Sequence, residues 1–135
     1  MMILRGDYLS QYSNLSYLEN NDMVSKKKLI EFCLTLDNVY EDYPFHDDNW
    51  CVIRHRRNKK IFAWIFYKDN NVWINVKCDP EWIDFWRQAF ESIVPAYHLN
   101  KKHWNSIILD NTVPDNDIKK MIKESYKLTL GKRKL

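Results

Sequence analysis

The stretch WCVIRHRRNKKIFAWIFYKDNNVWINVKCDPEW, residues 50–82, decides the fold. It holds three strand-like runs, 50–55, 61–67 and 72–78, separated by the polar turns RRNKK and DNN. In the third run Val72, Ile74 and Val76 alternate with Trp73, Asn75 and Lys77, the period of a sheet with one buried face. Turns this short join antiparallel neighbours. Asp79 and Pro80 then open a helix: the carboxylate can cap the first turn, and proline is tolerated where no N–H is needed.

Working outward, Ser25 is a suitable cap for a helix over 26–36, with Leu29, Phe32, Cys33 and Leu36 on one face. The segment DNVYEDYPFHDD breaks the pattern at Pro44, and a turn-closing role is expected for Asp47 and Asp48. The helix over 79–91 is expected to bury Trp82, Phe85, Trp86, Ala89 and Phe90. One or two short strands follow, including 103–110. A last helix begins near Pro114, turns Ile118, Met121, Ile122 and Tyr126 inward, and ends at Gly131. The expected fold is α+β, an antiparallel sheet with helices packed on one face. The domain spans 23–130, with an N-terminal extension at 1–22 and a basic tail at 131–135.

Composition excludes several functions. The chain has 135 residues, enough for one domain with a real core, and 45% are hydrophobic and 15% aromatic. Its two glycines, Gly6 and Gly131, rule out every Gly-rich phosphate loop. Cys33, Cys51 and Cys78 form no C-x-x-C pair and read as reduced thiols of a cytoplasmic protein, with no signal peptide or membrane span expected. Cys33 and Cys51 fall in apolar patterns. Cys78 precedes a helix start, where a thiolate would be favoured, yet a half-buried thiol is the preferred reading.

No metal or other cofactor is expected. His98 and His103 are five residues apart, which suits neither a helical nor a strand ligand pair, and Lys101 and Lys102 would oppose a cation. No nucleophile motif accompanies them. The formal charge of +3 is compatible with a polyanion partner without demanding one. Three clusters favour nucleic acid: Arg54, Arg56, Arg57, Lys59 and Lys60 around one hairpin tip, Lys101, Lys102 and His103 in a loop, and the tail GKRKL. A rival reading is a small-molecule or protein-binding module with a pocket of Tyr97, His98, Asn100, His103 and Trp104. An enzyme would need perturbed titratable groups in a cleft.

The words LIEFCLTLDNVYEDYPFHDDNW, INVKCDPEW and VPAYHLNKKHWNSIILD resemble the MmcQ/YjbR family from about Met23 to Leu130. The resemblance implies a CyaY-like fold, a sheet with helices against it, and a double-wing mode of DNA binding. It marks Tyr43, Pro44, Phe45, Asp47, Asp48, Trp50, Lys77, Asp79 and Pro80, then Tyr97, His98, Asn100, Lys101, His103, Trp104 and Asn105. This chain departs from the family pattern at His46, where glycine is usual, and at the unusually basic RRNKK turn. It lacks the acidic ridge that an iron site of CyaY type would need.

Overall fold

The computed structural model describes residues 25–131, so the N-terminal extension and all of the basic tail but Gly131 lie outside the described residues. The elements in chain order are α1 (Lys26–Leu34), β1 (Val39–Asp42), β2 (Cys51–His55), β3 (Ile61–Lys68), β4 (Asn71–Lys77), α2 (Pro80–Ala89), β5 (Ile93–Pro95), β6 (Trp104–Leu109) and α3 (Asp115–Leu130). All strands join one antiparallel sheet in the order β1-β2-β3-β4-β6-β5.

The register explains the core. Cys51, Ile65, Ile74, Ile107 and Ile93 lie opposite one another in a row across five strands. All five are buried, in one cluster with Leu29 and Cys33 of α1 and Ile118, Met121 and Ile122 of α3. The helices therefore cover one face of the sheet, as the alternation in the strands requires, and each fully buried aliphatic side chain contributes about 1.5–3 kcal/mol. Between Ile53 and Arg54 the β2–β3 register shifts, so that Ala63 faces Ile53, Ile61 faces Arg54, and Phe62 is the extra residue. This bulge lets Phe62 and Ala63, adjacent in sequence, both enter the helix-side core.

Two expectations are corrected. The segment read as a pattern break begins with a strand, β1, which pairs Val39 with His55 and Asp42 with Val52. Its four residues include Glu41 and Asp42, too short and too polar a run for alternation to reveal. On α2, Trp82 and Phe85 face outward, 56% and 52% exposed, and Ala89 is exposed too. The inward stripe is Ile83, Trp86 and Phe90, at offsets of three and seven, which a reading weighted toward ring size misses. The caps are as expected: Ser25 accepts from the Lys28 N–H, and Asp79 from the Glu81 N–H. Asp47 Oδ1 accepts from the backbone N–H groups of Asn49 (2.8 Å) and Trp50 (3.2 Å), closing its turn.

His46 has φ 60°, in the left-handed region where glycine carries no steric cost. The backbone thus accounts for the glycine usual at this place in the family pattern. Because the His46 side chain is exposed, His46→Gly is expected to raise stability by up to about 1 kcal/mol, relief of strain outweighing the added chain entropy of glycine. A urea titration of both proteins measures the difference.

Candidate nucleic-acid interface

The register sorts every connection to one end of the sheet or the other. Strand pairs such as Val39 with His55, Ile61 with Arg54 and Lys77 with Trp104 mark one end. There lie the α1–β1 connection, the β2–β3 tip at 56–60, Cys78–Asp79, and the loop 96–103. These carry Arg56, Arg57, Lys59, Lys60, Lys101 and Lys102 against two carboxylates, Asp37 and Asp79. Among the described residues, the connections at the opposite end, 43–50, 69–70, 90–92 and 110–114, carry Asp47, Asp48, Asp69, Glu91 and Asp110 and no lysine or arginine, though Lys26 of α1 reaches the Asp48 and Asn49 carbonyls and Lys68 of β3 pairs with Asp69. Two clusters more than 40 residues apart in sequence are thereby brought to one basic end. Only β4 stands between β3 and β6, so at about 4.8 Å per strand their axes are roughly 10 Å apart.

The tip is built to present its charges. Arg56, Arg57, Lys59 and Lys60 are exposed. Arg54 is placed differently: it is half-buried, its Nε is paired with Asp42 Oδ2 at 2.8 Å, and its Nη1 donates to the Lys59 carbonyl at 2.8 Å. It braces the tip from within. Arg56 lies over the Tyr40 ring, 5.3 Å from its centroid. Asn58 Nδ2 donates to the carbonyls of Thr129 (3.0 Å) and Leu130 (3.1 Å), tying the tip to the end of α3. Gly131 stands beside Asn58.

His55 makes the same junction from below. It is fully buried, and its Nε2 lies 2.8 Å from Thr129 Oγ1. That hydroxyl donates to the Ser125 carbonyl at 2.8 Å, which makes the imidazole the donor to Thr129, and Nδ1 has no partner among the described residues. Burial pushes the His55 pKa below its usual value, the Arg57 charge adds to this, and the Tyr126 backbone opposes it. The unfolded chain therefore takes up the proton first. The contribution of neutral His55 to stability is full above about pH 6.5, fades as the pH falls through that value, and is gone below the lowered folded pKa. Urea titrations at about pH 8 and pH 5.5 should show a loss in the wild type that is smaller in His55→Gln, which cannot take up that proton.

The second basic element, the loop 96–103, is held mainly by backbone and amide hydrogen bonds, with the His103 carbonyl accepting from the Cys78 N–H and the His98 ring 4.0 Å from that of Tyr97. Asn100 accepts from the backbone N–H groups of His103 and Trp104 through its carbonyl, and from that of Lys102 through Oδ1. Arg87 of α2 reaches across with Nη2 to the carbonyls of Lys101 and Trp104, and with Nε to Asn105 Oδ1 at 2.7 Å. On the face opposite the helices, Ser106 Oγ donates to Asn75 Oδ1 and accepts from the Tyr97 N–H, while Asn75 Nδ2 donates to the Tyr97 carbonyl. Lys101, Lys102, His98 and His103 are all exposed. Tyr97 joins an aromatic layer on that face, over Phe66 with Trp50, which stacks on Phe66 at 4.1 Å, and under the Lys68 ammonium. Trp104 faces the same side, since its neighbour Asn105 faces the helices. Tyr97, His98, Asn100, His103 and Trp104 do not line the cavity between α2 and α3 or the two shallower ones beside α1.

Among the described residues no group of three or more His, Cys, Asp and Glu side chains is placed to hold a metal ion, and no helix is long and apolar enough to cross a membrane. Cys33, Cys51 and Cys78 are free and buried.

Among the described residues these features define a two-layer α+β domain, three helices on one face of a six-stranded antiparallel sheet, with its basic connections at one end. The chain belongs to the YjbR family, whose model matches residues 34–128. It is 35% identical to YyaQ of Bacillus subtilis strain 168 over 104 residues, 69% of this chain and 83% of that protein. It is 27% identical to YjbR of Escherichia coli K12 over 113 residues, 80% of this chain and 93% of that protein. The crystal structure of a Deinococcus radiodurans protein superposes with a TM-score of 0.74 at 33% identity, covering 82% of each chain. A Pseudomonas syringae protein superposes with a TM-score of 0.70 at 26% identity, covering 78% of this chain and 98% of its own. The names of these relatives state no activity.

Proposed function

We propose that this protein is a cytoplasmic nucleic-acid-binding protein, with DNA as its main partner, acting by binding and not by catalysis. One observation carries the reading: the exposed basic residues of the tip and of the loop lie at a single end of the sheet, and the connections at the other end carry only carboxylates among their Asp, Glu, Lys and Arg side chains. Such a difference between the connections draws a polyanion toward the basic end, while at the other end Lys26 and Lys68, from the adjoining helix and strand, offset part of the negative charge. Arg56, Arg57, Lys59 and Lys60 contact phosphates from the tip, and Lys101, Lys102 and His103 form the second contact. Arg54 serves by bracing the tip. Because these contacts read phosphates, binding is largely independent of sequence.

The test is a fluorescence-anisotropy titration of labelled random duplex and single-stranded DNA over a range of salt. The six lysine and arginine contacts should give a slope of log K against log salt of about −5 for duplex. Absence of binding to either at low salt overturns the reading.

A further inference from the structure

A second site lies on the helix-covered side, between α2, α3 and the ends of β4 and β6. It is a cavity of about 210 Å³, the most enclosed of those described. Trp82, largely exposed at its mouth, and Trp86, one helical turn on, line it together with Val76 and Met121. Asn105 lines it as well, and it is wholly buried. A guanidinium can only donate, so the Arg87 contact fixes the atom it meets as Asn105 Oδ1. The remaining amide nitrogen, Nδ2, is buried and has no partner among the described residues. A buried donor left unmet is costly, and this one belongs to a residue in the wall of an apolar cavity.

We propose that this cavity binds a flat, uncharged heteroaromatic ring bearing a carbonyl, the ring against Trp82 and Trp86 and the carbonyl oxygen accepting from Asn105 Nδ2. The remaining lining argues for a neutral ligand: Lys77 and Lys120 are balanced by Asp79 and Glu124. The site binds without thiol chemistry, since burial, with Asp79 and Glu124 nearby, pushes the Cys78 thiol up to about 11 and keeps it protonated. The first turn of α2 is not the attraction, because Asp79 already satisfies the Glu81 and Trp82 N–H groups. Such a ring has two sources: a free small molecule, or a base of an unpaired strand. The Cys78–Asp79 connection, part of the lining, belongs to the basic end of the sheet, within reach of a strand held there.

The experiment is an NMR titration of the full ¹⁵N-labelled chain with thymidine and, separately, with nicotinamide, each a ring with a carbonyl acceptor. At least one is expected to shift the Asn105 side-chain NH₂ and the Cys78 and Asp79 amides saturably, with Kd of about 1 mM or tighter. Deoxyribose, which has no ring to stack, should leave them unmoved. Trp82 is largely exposed, so Trp82→Ala should fold and weaken binding about tenfold. If neither ring moves those signals, or Trp82→Ala binds as well as wild type, the proposal is overturned. Stronger shifts with a thymine oligonucleotide than with its abasic counterpart assign the ring to a strand; shifts with the free ring alone assign it to a small molecule. The site stands independently of the basic end, because the free rings carry no phosphate.

Discussion

Ser125→Ala is expected to lower the stability of the domain by about 2–4 kcal/mol, a large effect for the loss of one oxygen atom. Ser125 is fully buried on α3, at the point where the β3–β4 ladder runs out beside the bulge. Its hydroxyl accepts from the Lys77 N–H at 2.8 Å and donates to the Phe62 carbonyl at 2.6 Å. One side chain thus satisfies two backbone groups that the bulge leaves without ladder partners. Alanine removes the bridge and leaves a part-buried donor and a buried acceptor unmet, each costing about 1–3 kcal/mol. Urea unfolding followed by tryptophan fluorescence reads the difference. A loss below about 0.5 kcal/mol would mean that water replaces the hydroxyl and that the bridge is dispensable.

The second large effect concerns binding. The variant with Arg56→Gln, Arg57→Gln, Lys59→Gln and Lys60→Gln is expected to bind duplex DNA about a hundredfold more weakly at physiological salt, since each lost phosphate contact also forfeits the release of a counterion. The fold should survive. All four side chains are exposed, and the tip is anchored by Asn58 on α3 and by Arg54 on Asp42, which the variant retains. Changing Arg54 instead would remove a brace, and weaker binding there would accompany a looser tip.

Much of the fold was legible in residues 50–82 because alternation, short polar turns and the Asp79–Pro80 cap all agree. What stayed hidden depended on partners far away in sequence. Strand β1 shows itself only through its pairing with β2. The outward Trp82 and Phe85 look like core until the neighbours of Ile83 are known. The bulge at Phe62 and its Ser125 bridge join residues 63 positions apart. The candidate interface was half legible: the basic clusters could be read directly, but only the register brings 56–60 and 101–102 to one end and the aspartates to the other. Arg54 was read as one more surface charge, and its partner Asp42 lay in the strand that was missed. The histidines at 98 and 103 drew attention by their chemistry, yet Asn100, Asn75, Ser106 and Arg87, ordinary polar residues, hold that loop.

The most direct test of the basic end is the salt slope of duplex binding in the wild type and in the four-glutamine variant. The slope counts counterions released, so in the variant it is expected to become shallower by about 3–4 units. An unchanged slope would mean that DNA, if bound, is held elsewhere on the molecule, and would contradict the account.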